Sequence, residues 1–393
     1  MRLSALPPVR RAVPLKRGDP AARASMERFF GNRRISLYAS GTAALAQAIA
    51  SCTARSTVSN PEVIIPAYGC PDLVAACLHA SVYPRLVDVS SSHWSYDPEA
   101  LKSSLSPNTV AVVAVNLLGL GDGAAELSRL CRDKRIPLIQ DSAQHLPREP
   151  VDWPGDYVVL SFGRGKPMNL LHGGALIAPD HDRHTLSVRP AHYSRKERLL
   201  ATRTAALAFN FLTRPHVYRI FSALPGTGLG EVTYKPLTEA ALLPEEAWKQ
   251  VGIAFELYCR KPSYRRDVWA SAIEEWSALG ITMLDCPGSP IPTEPLRLAL
   301  LAPDRTARDL LVDRFNRNGL GASRFYGVEL PRVAGVPEIV TRQGPFPNAS
   351  ALAGRLFTLP THRLVTVNTV KSVRECVATW RQSQDISSSE RTR

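Results

Sequence analysis

A single lysine lies in a glycine-rich loop directly after an apolar run. The stretch LSFGRGK, residues 160–166, ends at Lys166. A second polar group, Asp141, follows the apolar run IPLIQ, where an unpaired carboxylate would be costly to desolvate. Upstream, the small residues SGT at 40–42 precede an Ala- and Leu-rich segment with helical spacing. Small residues at a helix start let backbone N–H groups approach a phosphate, so these three features together indicate one candidate site.

An amine, a carboxylate and a phosphate-binding loop are the three groups that pyridoxal phosphate requires. Lysine forms an imine with the cofactor, a carboxylate pairs with the protonated ring nitrogen, and a loop holds the phosphate. Each signal is weak alone, because most lysines are solvated surface charges and because SGT and a strand-end Asp are common. Only their combination and order along the chain favour this cofactor.

The segments that must position these groups are typical of a parallel α/β sheet. From about residue 25 to about 180, short runs that are apolar throughout alternate with helical segments. Such strands indicate a sheet covered by helices on both faces, with ligands at the carboxyl ends of the strands. Asp141 and Lys166 both follow strand ends, so we expect them at one rim. The predicted fold class is α/β, a three-layer, mostly parallel sheet with a smaller α+β domain.

Four regions are predicted along the 393 residues. Residues 1–24 form an extended arm, 25–240 a large cofactor-binding domain and 241–383 a small C-terminal domain. The polar residues 384–393 are expected to be a disordered tail.

The segment 195–225 within the large domain is basic and apolar at the same time. We interpret it as a packed helix pair. Contact with a membrane surface is the alternative that the sequence leaves open.

Composition narrows the class of function. The net charge of +13 fits an anionic small molecule, but the basic residues form no block with interleaved aromatics, so no nucleic-acid partner is expected. The N-terminus lacks the apolar region of a signal peptide, and no apolar run reaches the roughly 18 residues that span a bilayer. The seven cysteines are scattered without a CxxC, which favours reduced thiols, a cytoplasmic location and no metal site.

Eight motifs occur in order along the chain: SGTAAL (40–45), VIIPAYGCPDLVAA (63–76), PRLVDV (84–89), VNLLGLGDGAAEL (115–127), IPLIQDSAQ (136–144), LSFGRGK (160–166), GGALI (173–177) and NASALAGRLFTLPTH (348–362). This set resembles the DegT/StrS family of sugar aminotransferases, which are pyridoxal-phosphate enzymes of the aspartate aminotransferase fold, fold type I. The resemblance extends from about residue 35 to about residue 370. It implies a large cofactor domain, a smaller C-terminal domain and a homodimer.

The resemblance also implies roles for the residues near the cofactor ring. Lys166 would bind the cofactor covalently and then move a proton as general base and acid. Asp141 would pair with the ring nitrogen and keep the ring protonated. Gln144 would lie near the ring and its phenolic oxygen.

The phosphate of the cofactor would be bound by a second group of residues. By the resemblance, Ser161 would donate to it together with the backbone amides of Gly41 and Thr42 and the Thr42 hydroxyl.

The chain departs from the family pattern at several positions. Cys70 occupies the place of an aromatic ring that stacks on the cofactor, so either Tyr68 supplies the ring or the stacking is weaker. The family's cross-subunit phosphate contact corresponds at best to Lys235, a point charge without the bidentate geometry of arginine. His172 and Arg164 are candidates for substrate or phosphate contacts, and are equally compatible with ordinary surface positions.

The predicted function is therefore amino transfer from an amino acid, in this family usually glutamate, to a keto sugar. The sugar is expected to be linked to a nucleotide, in the assembly of a polysaccharide, lipopolysaccharide or natural product. Two alternatives stay open: another pyridoxal-phosphate reaction such as a lyase or acyl-transfer step, and a non-catalytic regulatory or membrane-associated role.

Overall fold

A seven-stranded sheet forms the centre of the protein. The structure, a computed structural model, describes residues 5–7, 9, 11–13, 22–121, 123–179, 195–223, 232–260, 267–286 and 295–391. The strands are β1 (Arg34–Tyr38), β2 (Glu62–Pro66), β3 (Tyr83–Val87), β4 (Thr109–Val115), β5 (Leu138–Asp141), β6 (Tyr157–Ser161) and β7 (Gly174–Ala178). Their order is β1-β7-β6-β5-β4-β2-β3, and β3, β2, β4, β5 and β6 are parallel, whereas β7 is antiparallel to both of its neighbours. The predicted mostly parallel sheet is confirmed.

Helices cover both faces of this sheet. They are α1 (Ala22–Phe29), α2 (Gly41–Ala54), α3 (Asp72–His79), α4 (Pro98–Ser104), α5 (Ala124–Lys134) and α8 (Ala247–Arg260). Two further helices, α6 (Arg195–Leu212) and α7 (Pro215–Ala223), lie between β7 and α8 in the sequence. Successive strand residues point to opposite faces, so Ile65 of β2 packs in the cluster that contains α2 and α3, whereas Ile64 packs in the cluster that contains α5. This two-sided burial is why β2 and β4 are apolar throughout.

A second, smaller sheet lies in the C-terminal part of the chain. Its strands β8 (Thr282–Met283), β9 (Arg297–Leu301) and β10 (Leu356–Pro360) pair antiparallel in the order β10-β9-β8. It is accompanied by α9 (Ala270–Ser277), α10 (Arg305–Arg317), α11 (Glu338–Thr341), α12 (Pro347–Arg355) and α13 (Val367–Arg391). A separate apolar cluster joins β9 and β10 to α9, α10 and α13. The smaller α+β unit is therefore present as predicted.

One buried carboxylate connects the two units. Asp88, just after β3, accepts hydrogen bonds from the backbone N–H groups of Asn348 (3.0 Å) and Ala349 (2.8 Å) in the first turn of α12. A carboxylate at a helix N-terminus satisfies donors that have no partner within the helix. The motif PRLVDV therefore has a structural reason as well as a family resemblance.

The edges of the predicted regions differ in detail. Helix α8 packs against α1 and the central sheet, which favours a domain boundary after it instead of the predicted one near residue 240. The polar residues from 384 were expected to be disordered, but α13 continues to Arg391. The segment from 367 to 391 contains no glycine or proline that would stop a helix.

The predicted helix pair in 195–225 is present as α6 and α7, which contact each other. In the arm, predicted as residues 1–24, the described residues 5–7, 9 and 11–13 have no helix or strand, whereas residues 22–24 already belong to α1. Within the parts of the chain that the structure describes, no helix is both long and apolar enough to cross a bilayer.

Candidate active site

Residues from motifs that are distant in the sequence converge on one cavity at the carboxyl ends of the parallel strands. Six of the seven predicted site residues line it: Gly41, Thr42, Asp141, Gln144, Ser161 and Lys166. The cavity is open to solvent, and its free space is about 510 Å³ when the open mouth is included.

The start of α2 forms one end of the cavity. A Cβ atom added at Gly41 would lie 2.7 Å from Cβ of Ser161, so only glycine lets this turn reach the end of β6. A Cβ atom at Gly174 would lie 2.5 Å from the Gly41 nitrogen, which explains the glycine at the start of β7. The Ser40 hydroxyl caps the helix by accepting from Ala43 N–H (3.0 Å). The other first-turn amides have no partner within the helix, which makes this end a suitable anion site.

Lys166 lies on a tight loop that the N-terminal arm supports from outside. Its backbone N–H donates to the Gly163 carbonyl (3.2 Å), and Gly165 has a positive φ of 75°. A Cβ atom at Gly165 would lie 2.8 Å from Cγ1 of Val9 in the arm. Both the backbone conformation and the close approach of the arm therefore require glycine next to the lysine.

Asp141 ends β5 at the same rim. Its Oδ1 accepts from the backbone N–H of Ala143 (3.0 Å). Burial raises the pKa of the Asp141 carboxyl, and the Ala143 hydrogen bond and the Lys166 charge offset this only in part. A partly buried carboxylate whose pKa is raised would be stabilised in its ionised form by a cationic partner such as a protonated ring nitrogen.

Gln144 belongs to a hydrogen-bond chain whose direction is fixed. The backbone N–H of Leu118 donates to Gln144 Oε1 (2.8 Å), so Nε2 is the donor in the 2.8 Å contact with the Tyr326 hydroxyl. Since the Tyr326 oxygen accepts this bond, its own hydrogen is available for another acceptor. Burial raises the pKa of Tyr326 well above its usual range, so the hydroxyl stays protonated.

Tyr326 also lines the cavity, although sequence reasoning did not identify it. It comes from the segment after α10, far along the chain from the motifs that supply the rest of the site. An aromatic residue before a glycine is not a signal for a site, so the sequence contained no clue to its position.

The structure does not bring Tyr68 to the cavity. Its side chain is fully buried and packs edge-on against Trp94 and Tyr326, with ring centroids 6.4 and 5.5 Å apart. Cys70 lines the wall instead, and burial raises the pKa of its thiol to about 12, so it presents a neutral group. Stacking of Tyr68 on a cofactor stays a prediction that this placement does not favour.

Three further candidates, Arg164, His172 and Lys235, are exposed and do not line the cavity. The cross-subunit role of Lys235 stays a prediction. All seven cysteines are free thiols, and the described residues contain no cluster of His, Cys, Asp or Glu arranged for a metal ion.

Residues 23–205 match the DegT/DnrJ/EryC1/StrS aminotransferase family. The predicted family resemblance is confirmed. Pyridoxal phosphate is the cofactor of this family. The cavity fits that cofactor, because it brings together the amine of Lys166, the carboxylate of Asp141 and the start of α2, where Gly41 leaves the backbone amides accessible to a phosphate.

Curated relatives are similar over part of the chain. A putative L-glutamine:3-amino-2,3-dideoxy-scyllo-inosose aminotransferase from Streptomyces kanamyceticus is 30% identical over 168 residues, which cover 41% of this chain and 39% of the relative. A 3-amino-5-hydroxybenzoate synthase from Amycolatopsis mediterranei is 30% identical over 126 residues, covering 30% and 32%. The chain thus spans less than half the length of these relatives.

Solved structures are similar over almost the whole chain. A crystal structure of 3-amino-5-hydroxybenzoic acid synthase has a TM-score of 0.65 at 19% identity and covers 92% of this chain and 91% of the other. A putative sugar aminotransferase from Streptococcus pneumoniae, in its PLP form, has a TM-score of 0.67 at 16% identity, covering 93% and 92%. At these identities the similarity shows the fold alone.

Proposed function

We propose that the protein is a pyridoxal-phosphate-dependent aminotransferase. The observation that carries the proposal is the presence of Lys166 and Asp141 on one cavity that also includes the start of α2. When bound, the cofactor supplies an aldehyde that condenses with amines and a protonated ring that withdraws electrons.

Each residue has a defined task in this proposal. Gly41, Thr42 and Ser161 bind the phosphate through backbone and hydroxyl donors. Asp141, ionised once a cationic ring nitrogen lies beside it, keeps that nitrogen protonated. The Lys166 amine removes a proton from the α-carbon of the amino donor and returns one to the acceptor carbon.

The acceptor is proposed to be a ketone on a polyhydroxylated ring. The relatives named as inosose aminotransferases and the family match support a keto-sugar-like substrate. The proposal extends further to glutamate or glutamine as donor, to a nucleotide-linked keto sugar as one acceptor class, and to a homodimer. The excess of basic residues is compatible with an anionic sugar.

The test separates the two halves of the reaction. The holoenzyme is incubated with glutamate or with glutamine and no acceptor, and the visible spectrum and the keto-acid product are recorded. We expect loss of the visible band and one equivalent of keto acid per site. A free keto cyclitol and a nucleotide-linked keto sugar are then added separately, and amine formation is measured by mass spectrometry.

The controls distinguish the reaction from background. Lys166→Ala is expected to lose both keto-acid formation from the donor and amine formation on the acceptor. Lys249 is an exposed lysine on α8, and Lys249→Ala is expected to behave as wild type. Absence of keto acid with every amino acid tested would exclude an aminotransferase. Loss of the amino group by elimination, without amine formation on any ketone, would indicate a lyase.

A further inference from the structure

The helix pair α6–α7 presents apolar side chains to solvent. Leu207 and Phe211 on α6 are 71% and 51% exposed, and Ile220 on α7 is 68% exposed. Leu207 and Phe211 are four residues apart and therefore lie on one face of α6. The opposite face contains Ala206 and Thr213, which are buried. Part of the apolar surface of α6 therefore faces outward, whereas an ordinary surface helix turns its apolar face to the core.

Polar contacts hold the pair on the body of the protein. The Asn210 side chain accepts from the Ala12 backbone N–H (2.8 Å) and donates to the Ala12 carbonyl (3.1 Å). Arg219 donates to the carbonyls of Asn316 and Arg317 at the end of α10, each at 3.4 Å. Since these contacts fix the helices from the inner side, the outward apolar residues are not needed to dock them.

The charged residues that follow the first turn of α6 are all arginines. Residues 198–230 contain four arginines and no aspartate, glutamate or lysine, and the nearest preceding acidic residue is Glu197 in the first turn of α6. Arg203 lies one turn before Leu207, and Arg214 lies three residues after Phe211, with its guanidinium 5.3 Å from the Phe211 ring. Both arginines are exposed. Apolar side chains flanked by two guanidinium groups are complementary to a lipid surface, which has apolar acyl chains inside and anionic headgroups outside.

We propose that the outer face of α6–α7, formed by Arg203, Leu207, Phe211, Arg214 and Ile220, binds the surface of an anionic membrane. The apolar side chains insert at the level of the acyl-chain boundary, and the arginines contact lipid phosphates. The helices lie on the surface in this arrangement.

Charge complementarity favours a lipid surface over a second copy of the chain. In a twofold contact the same patch meets itself, which would bring the arginines of both copies together without a carboxylate from this segment. Like charges at contact distance oppose such pairing, whereas an anionic bilayer attracts every arginine on the face.

The experiment measures co-sedimentation of the full-length holoenzyme with vesicles. Phosphatidylcholine vesicles are compared with vesicles that also contain phosphatidylglycerol, at low and at high salt. We expect at least about tenfold stronger binding to the anionic vesicles at low salt, and weaker binding as salt rises. Leu207→Ser/Phe211→Ser is expected to lower this binding at least about tenfold, and Arg203→Gln/Arg214→Gln to remove the preference for phosphatidylglycerol.

Val367→Ser is the matched control, because Val367 is also 71% exposed but lies at the start of α13. It is expected to bind vesicles as wild type does. Thermal unfolding and sedimentation velocity are recorded for every variant. The proposal would be overturned if the wild-type protein did not co-sediment with anionic vesicles. It would also be overturned if the Leu207→Ser/Phe211→Ser variant bound them as strongly as wild type. An α6 variant that loses an oligomer while vesicle binding is unchanged would assign the face to a second copy instead.

Discussion

The cavity rim and the α6–α7 face differ in how the fold uses them. At the rim, short loops at strand ends place Lys166 and Asp141, and glycines fill contacts that admit no side chain. On the outer face of α6, Leu207 and Phe211 are apolar side chains left 71% and 51% exposed. The rim is therefore expected to tolerate almost no change, whereas the helix face is expected to tolerate substitution in folding and to show its role only with a partner.

The largest effect is expected at Lys166. Removal of its amine in Lys166→Ala eliminates the group that moves the proton, so the rate of amino transfer should fall by about 10⁴-fold or more. Circular dichroism should remain as in wild type, because the backbone hydrogen bond from Lys166 to Gly163 in this loop is kept by alanine. Turnover above one hundredth of wild type would contradict the role of Lys166 as the group that moves the proton.

Asp141→Asn keeps the shape of the side chain and removes its charge. We expect cofactor affinity to fall on the order of 100-fold, because the ring nitrogen loses its anionic partner. Equilibrium titration of the apoprotein with the cofactor, followed by absorbance, measures this loss. Affinity equal to that of wild type would show that Asp141 does not face the ring.

The same substitution has the opposite effect on the apoprotein. Because burial raises the folded-state pKa of Asp141, the folded protein binds this proton more tightly than the unfolded chain does. The apoprotein therefore loses stability as pH rises through the interval between the ordinary carboxyl pKa and the raised value. Asp141→Asn should remove this loss. The variant should therefore have a higher unfolding midpoint than wild type at neutral pH and the same midpoint as wild type at acidic pH.

Gly174→Ala tests the close approach behind the rim. Its new methyl group would meet the backbone at Gly41 and Ser40 at 2.5–2.6 Å, so β7 or α2 must shift. We expect a loss of about 1–3 kcal/mol in the free energy of unfolding, measured with denaturant. Gly123→Ala, at a glycine with open space around it but a positive φ of 62°, separates backbone strain from collision.

Tyr326→Phe sharpens the account of the Gln144 chain. Because its oxygen accepts from Gln144, the hydroxyl has its hydrogen available to donate to a bound cofactor. Its loss should reduce kcat about tenfold and raise the pKa of the visible band of the holoenzyme, because a phenolate in the site would lose a donor. A spectrophotometric pH titration measures the second effect. An unchanged titration would leave Tyr326 a packing residue only.

The smallest effect is expected on the helix face. Leu207→Ser/Phe211→Ser should change the free energy of unfolding by less than about 0.5 kcal/mol per residue, since neither side chain is buried. Denaturant unfolding without lipid measures this. A loss of several kcal/mol would mean that the face is covered within the protein.

The sequence predicted the rim better than the rest of the site, for a physical reason. Asp141 and Lys166 follow apolar strands of one parallel sheet, so their meeting follows from topology that strand patterns reveal. Tyr326 comes from a distant segment, and only the packing of the C-terminal part brings it to Gln144. The backbone path after β2 decides whether Tyr68 or Cys70 reaches the wall of the cavity. Composition carries no information about that path.

The helix pair shows a similar limit. Its basic and apolar composition predicted two helices and left two interpretations open, because composition does not say which face is buried. The burial of Thr213 and the exposure of Leu207 decide that question. Continuation of α13 through the polar tail was also missed, since helix propagation needs no apolar residues.

Borohydride reduction of the protein loaded with pyridoxal phosphate, followed by peptide mass mapping, identifies the lysine that holds the cofactor. We expect one cofactor-sized mass on the peptide that contains Lys166 and no label at this site in Lys166→Ala. Labelling of a different lysine, with Lys166 unmodified, would contradict this expectation.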